Sequence, residues 1–147
     1  MSLNYEFVPG DEKVIAPGRV THRIRALTAI LALGVAPGDL GGYIERPENL
    51  YGDAWVYGDA QVYGDARVCG DAQVCGASDW LLIGPALSSG RFTTACRTKD
   101  GSAQVSCGCF LGTVDEFRAA INTTHAENEP ARRQYLAFAD CITAALP

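Results

Sequence analysis

The stretch "YGDAWVYGDAQVYGDARVCGDAQVCG", from Tyr51 to Gly76, states one six-residue phrase four times before it decays. Aligned on its aliphatic residue, the phrase sets Leu50, Val56, Val62, Val68 and Val74 six apart, with Ile44 in phase upstream. Ala54, Ala60, Ala66 and Ala72 fall two positions before each valine, so every unit holds a short alternation in which Ala and Val point inward. Gln, Arg, Trp, Tyr and Cys take the outward positions. Gly-Asp separates the units: glycine accepts positive φ and the carboxylate of an aspartate can cap nearby backbone, so the chain turns there. Asp53, Asp59, Asp65 and Asp71 are the expected structural corners. A strand and a corner every six residues exclude an α-helix and match the hexapeptide pattern of parallel β-helices.

The pattern resembles the left-handed form of that architecture, which implies three hexapeptides per triangular coil and side-by-side stacking of residues eighteen apart. Cys69 is then expected above Tyr51, Cys75 above Tyr57 and Asp71 above Asp53, at about one strand spacing of 4.8 Å. From Ile44 to Gly76 the repeat is shorter than two such coils. A stack this short has nearly as much end as middle, so both ends need covers. The outward aromatics Tyr51, Trp55, Tyr57 and Tyr63 also ask for a cover and form the expected interface of a homo-oligomer, with a trimer favoured over a dimer.

The flanks supply the covers. Residues 1–43 are expected to form an N-terminal β cap: "RVTHRIRAL" alternates from Arg19 to Leu27 with Ile24 inward, and "PGDLGGYIE" turns into the first hexad. Residues 44–77 form the repeat. Residues 78–147 form an α+β unit beyond Gly84 and Pro85. In it "RFTTACRT" and "SAQVSCGCF" flank the turn Lys99-Asp100-Gly101 as a hairpin. Thr113 with Glu116 is a capping box opening a helix with Val114, Phe117 and Ile121 on one face. A second helix starts near Pro130, with Tyr135, Phe138, Ala139 and Ile142 at helical spacing. The expected fold class is thus mainly β with an α+β C-terminal part: a short left-handed parallel β-helix between a β cap and a hairpin with two helices.

The succession "HRIRAL", "GDLGGYIE", the "GDAxV" hexads, "IGP" and "GCFLGTVDEF" resembles a group of phage and prophage hexapeptide-repeat proteins of unknown function. Proteins of that group carry labels such as polymer-forming cytoskeletal or transferase-like. The resemblance covers most of the chain and implies a fold and a phage context rather than a reaction. The hexad block is short, which weakens a filament-forming role.

Composition narrows the function classes. A formal charge of -5 provides no basic stripe for a phosphate backbone, so direct nucleic-acid binding is not expected. The N-terminal "MSLNYEFVPGDEK" lacks a basic n-region followed by an apolar one, and "ALTAILALGVA", Ala26 to Ala36, is too short to span a bilayer. A cytoplasmic protein without membrane contact is expected, with its six cysteines as free thiols.

The candidate chemistry is sparse. Hexapeptide acyltransferases use a coil histidine as general base, but the two histidines here are His22 and His125, both outside the hexads. Calcium rolls need a nonapeptide with paired glycines, and the C-x-C spacing of Cys107 and Cys109 is wrong for common zinc sites, so no metal and no cofactor are expected. Cys107 or Cys109 with His125 is the one constellation of catalytic type, a thiolate–imidazolium pair, against the alternative of packed small hydrophobes and a polar connection between helices. The leading expectation is a non-enzymatic binding or scaffold module that presents its α+β unit to a host or phage protein. The alternatives are an inhibitor of a host defence or nucleic-acid-handling machine by acidic mimicry, and an acyltransferase or thiol-dependent enzyme.

Overall fold

In the computed structural model, which describes residues 3–147, the chain opens with a long antiparallel pair. Strand β1 (Tyr5–Ala16) runs against β2 (Arg19–Ala26), and Ile24 and Ala26 of β2 are buried. The apolar stretch that follows folds back on itself through an Ile30–Val35 bridge around a 3-10 turn at Leu31–Leu33. Strand β3 (Leu40–Ile44) then pairs antiparallel with β2. Its Gly41 and Gly42 are required by close approach: a Cβ on Gly42 would lie 2.6 Å from Val56 Cγ1 and 2.7 Å from the Ala60 carbonyl oxygen.

The repeat contributes three two-residue strands, β4 (Trp55–Val56), β5 (Gln61–Val62) and β6 (Gln73–Val74). Gly52, Gly58, Gly64 and Gly70 hold φ between +57° and +68°, the region where a Cβ is costly, and they make the corners. Backbone hydrogen bonds close them, as from Ala60 N to Tyr57 O at 3.1 Å and from Ala72 N to Cys69 O at 3.2 Å. Among the described residues none of the four corner carboxylates caps its own backbone, contrary to the expectation from Gly-Asp turns.

The second half adds β7 (Trp80–Ile83), β8 (Thr93–Arg97), β9 (Ala103–Cys107) and β10 (Phe110–Thr113), then α1 (Val114–Thr124) and α2 (Glu129–Ala145). Thr113 and Glu116 cap α1 reciprocally, and Pro130 stands in the first turn of α2 behind an Asn128 cap.

These elements correct the fold class expected from the repeat. The chain is a mixed α and β protein with several small sheets and two helices, and the parallel β-helix is not formed. One four-stranded sheet runs β1-β2-β3-β5 and the other β10-β9-β8-β7; within them only β3–β5 is parallel. Parallel contact is otherwise confined to the two-stranded sheet β4–β6 and the bridge Leu50–Val68. These parallel partners, such as Ile44 with Val62 and Val56 with Val74, are eighteen residues apart, but two-residue strands build no solenoid. The physical reason is length: the repeat closes too few turns to bury its own ends, and antiparallel strands from both flanks complete it.

Layering follows from period-two alternation in the second sheet. Trp80, Leu82 and Cys96 pack against the core of Ile24, Ile44, Leu50, Trp55, Val56, Val62, Val68 and Val74. Their neighbours Leu81, Ile83 and Ala95, with Val105 beside Ala95, face Phe117, Ile121, Tyr135, Ala139 and Ile142. The sheet is a middle layer between the repeat and the helix pair. Polar side chains on its repeat-facing side hold the last corner: Arg67 N donates to Thr94 Oγ1 at 3.0 Å, Asp71 N donates to Gln104 Oε1 at 3.0 Å, and Gln104 Nε2 donates to Cys69 O at 2.7 Å.

At the other end, Asn49 is fully buried and satisfied. Its Nδ2 donates to Gly64 O at 3.1 Å and Ala66 O at 2.8 Å, and its Oδ1 accepts from Arg46 N at 2.9 Å. Tyr5 closes over the same turn by donating to Pro47 O at 3.0 Å. No helix of the described residues is long and apolar enough to cross a membrane.

Candidate functional site

The four aromatics of the expected interface do not share one exposed face. Trp55 is 1% exposed and belongs to the core, because the N-terminal strands and the 30–35 turn pack where an isolated repeat would be bare. Its outward assignment is corrected accordingly. Tyr57 is half-buried against the same core. Tyr51 is half-buried with the Arg67 guanidinium 4.9 Å from its ring centre, and Tyr63 meets the edge of Trp80 at 5.3 Å.

The candidate thiol–imidazole pair is not assembled. Cys107 Sγ accepts from Thr93 Oγ1 at 3.3 Å, Cys109 is exposed in the β9–β10 turn, and His125 caps the end of α1 with its ring stacked 5.2 Å from Tyr135. His22 stacks on Phe7 at 4.6 Å. Cys96 is the buried thiol, and burial pushes it up to about 12, so it stays protonated. Among the described residues no three His, Cys, Asp or Glu side chains are grouped to hold a metal ion.

The corner aspartates divide into two kinds. Asp59 is engaged, 3.3 Å from Arg23 Nη2 and 3.7 Å from Lys13 Nζ. It sits beside a clasp that ties β1, β2 and β3 together within their sheet: Arg23 donates to Asp11 at 2.7 Å and to the Tyr43 hydroxyl at 2.6 Å, and that hydroxyl donates to Asp11 at 2.7 Å. The Tyr43 and Arg23 hydrogen bonds hold the Asp11 carboxyl below the usual carboxylate range. The carboxylates of Asp53, Asp65 and Asp71 have no hydrogen-bond or ion-pair partner among the described residues.

Asp53 and Asp71 line an open groove of about 740 Å³. One wall is the repeat corner with Gly70. The opposite wall is the β8–β9 hairpin from Thr98 to Gln104, with Leu111 to Thr113 and Glu116, and the Ala32–Leu33 turn closes an end. β10 forms that wall because the repeat covers only part of the middle sheet. Leu111 and Thr113 lie opposite Ser106 and Gln104, hence on the repeat-facing side, and Leu111 remains 51% exposed.

The groove is acidic. Asp53, Asp71, Asp100 and Glu116 line it together with one ammonium, Lys99, whose Nζ donates to Ala32 O at 3.1 Å. Hydrogen bonds from Ser102 and Thr98 hold the Asp100 carboxyl down at about 2, and the Thr113 N–H lowers that of Glu116. Those donors are neutral, so both carboxylates keep their charge. The Asp53 and Asp71 corners precede the paired strands β4 and β6 by two residues, which places them about one strand spacing, ~4.8 Å, apart.

Sequence reasoning missed this site. Lys99, Asp100 and Gly101 read only as a turn, Glu116 only as a cap, and Gln104 and Leu111 carried no signal; the expected stacking of Asp53 with Asp71 was its one visible trace. Comparison with the models of known protein families, with curated proteins and with solved structures gives no match.

Proposed function

We propose that the chain is a non-enzymatic binding module of the phage or prophage hexapeptide-repeat kind, acting in the cytoplasm, which holds a host or phage protein in the groove between the repeat and β10. The observation that carries the reading is the groove itself. Its walls come from segments some 80 residues apart, 32–33 to 111–116, and its two repeat carboxylates have no internal partner. Apolar Leu33, Ala103 and Leu111 beside a few charged groups are the make-up of a recognition surface. Acidic mimicry of nucleic acid is less well supported, because Asp59 is paired with Arg23 and Lys13 and the column of charges is broken there.

A photo-crosslinking residue at Leu111, with one at Leu87 as control, tests the reading in host cells. Leu87 is 91% exposed and lies outside the groove. A discrete adduct from Leu111 and none from Leu87 is expected. Equal adducts from both, or none from Leu111, would overturn it. Self-association, trimer before dimer, is a separate proposal that now rests on Tyr63 and the half-buried Tyr51 and Tyr57; a solution mass of one chain, 15.6 kDa, by light scattering would end it.

A further inference from the structure

We infer that the groove takes an extended segment of its protein partner, laid along the free edge of β10, with lysine or arginine side chains set toward Asp53 and Asp71 and an apolar side chain set toward Leu33 and Leu111. This rests on the groove being the binding surface proposed above and names the chemistry of what fills it.

Three independent observations lead there. The first is topology: β10 ends the order β10-β9-β8-β7, so its outer side has no neighbouring strand among the described residues; the Thr113 N–H there is taken by Glu116 Oε1, which leaves the edge open around Leu111, and β10 residues line the groove. An open edge beside a groove is a template for adding a strand, whose alternate side chains then enter the groove. The second is charge. Four carboxylates stand against one ammonium, and the two on the repeat corner are unpaired. The start of α1 offsets part of the Glu116 charge, which leaves Asp53 and Asp71 as the groups that select the partner. The third is Lys99. Its ammonium donates to the Ala32 carbonyl and ion-pairs with none of the four carboxylates, so those charges stay available to a partner while Lys99 itself repels an entering cation. Removing the Lys99 charge therefore favours a cationic segment.

The test uses the full chain and a fluorescein-labelled twelve-residue peptide of repeated Lys-Ser-Leu-Ser, which as a strand sets Lys and Leu on one face. Two control peptides carry Glu for Lys, or N-methyl groups on alternate amides that block strand pairing. Anisotropy titrations at low salt are expected to show the Lys peptide binding about tenfold or more tighter than either control, with affinity falling as salt rises. Asp53→Asn with Asp71→Asn is expected to weaken it by about tenfold, while Asp59→Asn, outside the groove, leaves it unchanged. Lys99→Gln is expected to tighten it by about threefold, because the internal cation is gone.

Equal binding of the Glu peptide, indifference to the Asp53 and Asp71 changes in variants that fold by circular dichroism, or weaker binding by Lys99→Gln would overturn the inference. Equal binding of the N-methylated peptide would overturn the strand along β10. The two readings fail separately: adducts from Leu111 without Lys-peptide binding reject the partner chemistry alone, and Lys-peptide binding without adducts rejects the partner-protein reading alone.

Discussion

Replacing Asn49 by Ala removes a side chain that touches no solvent and ties three backbone groups together. The Gly64 and Ala66 carbonyls lie fifteen and seventeen residues on, so Asn49 joins adjacent passes of the chain where the two-residue strands supply few bonds of their own. Each lost hydrogen bond costs about 1 kcal/mol, and leaving its backbone partner buried and unpaired adds to that, so the three together come to about 3–5 kcal/mol. Against a total stability of about 5–15 kcal/mol this is a large share. In urea, with a slope of about 1.5 kcal/mol per molar, the midpoint should fall by about 2–3 M at unchanged slope.

Asn49→Asp sharpens the test. An ionised carboxylate would face the two carbonyls that now accept from Nδ2, so at neutral pH the loss should be at least as large as for Ala. Burial raises the pKa of such a group, and protonation restores one donor, so part of the stability should return as the pH falls toward 5. A midpoint for Asn49→Ala within about 0.5 M of the parent, or an Asp variant indifferent to pH, would refute the role assigned to Asn49.

Other expectations follow from single contacts. Gly42→Ala would drive a methyl group into Val56 and the Ala60 carbonyl at 2.6–2.7 Å; a loss of about 2–3 kcal/mol in thermal or urea unfolding is expected, since backbone cannot yield as a side-chain tip can. Arg19 and the Gly64 N–H hold the Glu45 carboxyl at about 2, below its unfolded value, so its stabilisation is present above about pH 4.5 and is lost as pH falls toward 2. Glu45→Gln should flatten the stability profile across that window and lower stability at pH 7 by about 1–2 kcal/mol, a figure held down because Arg19 is half in water. Cys96, protonated up to about 12 when folded, should resist thiol reagents at pH 8 until the chain unfolds. Its unfolded thiol ionises near 9, so the folded state binds the extra proton and stability falls as pH rises from about 9 to 12; Cys96→Ala should make that slope shallower, the remainder coming from groups such as Tyr5, whose hydroxyl burial also raises to about 12.

The parts of the fold legible in the sequence are those whose signal is local. Glycine corners six apart, the Thr113–Glu116 box and the Lys99-Asp100-Gly101 turn each act within a few residues, and the hairpin and both helices stand where those signals put them. Strand β1 escaped notice because Pro9 and Gly10 interrupt its alternation, and its pairing with β2 shifts register between Phe7 and Glu12. β7 escaped for the opposite reason: "WLLI" shows no alternation because both of its faces are covered by apolar cores. Trp55 was misread because parity along a strand says which two faces exist and not which of them a distant segment covers.

The global architecture was misread for a related reason: a local period gives the shape of one turn but not the number of turns. With so few, what closes the ends decides the fold, and here polar side chains close one of them. An apolar cover on the last corner would have to spread over the whole end of the repeat to keep water from its backbone. Gln104 and Thr94 instead satisfy the open groups at 67, 69 and 71 one by one. A cover made of point contacts need not match the repeat in width, so the middle sheet runs on past the corner to β10 with its repeat-facing side bare. The groove is the space left by that mismatch. Asp71 donates its backbone N–H to the clamp and keeps its carboxylate free, so the residue that fastens the two halves together also charges the opening between them.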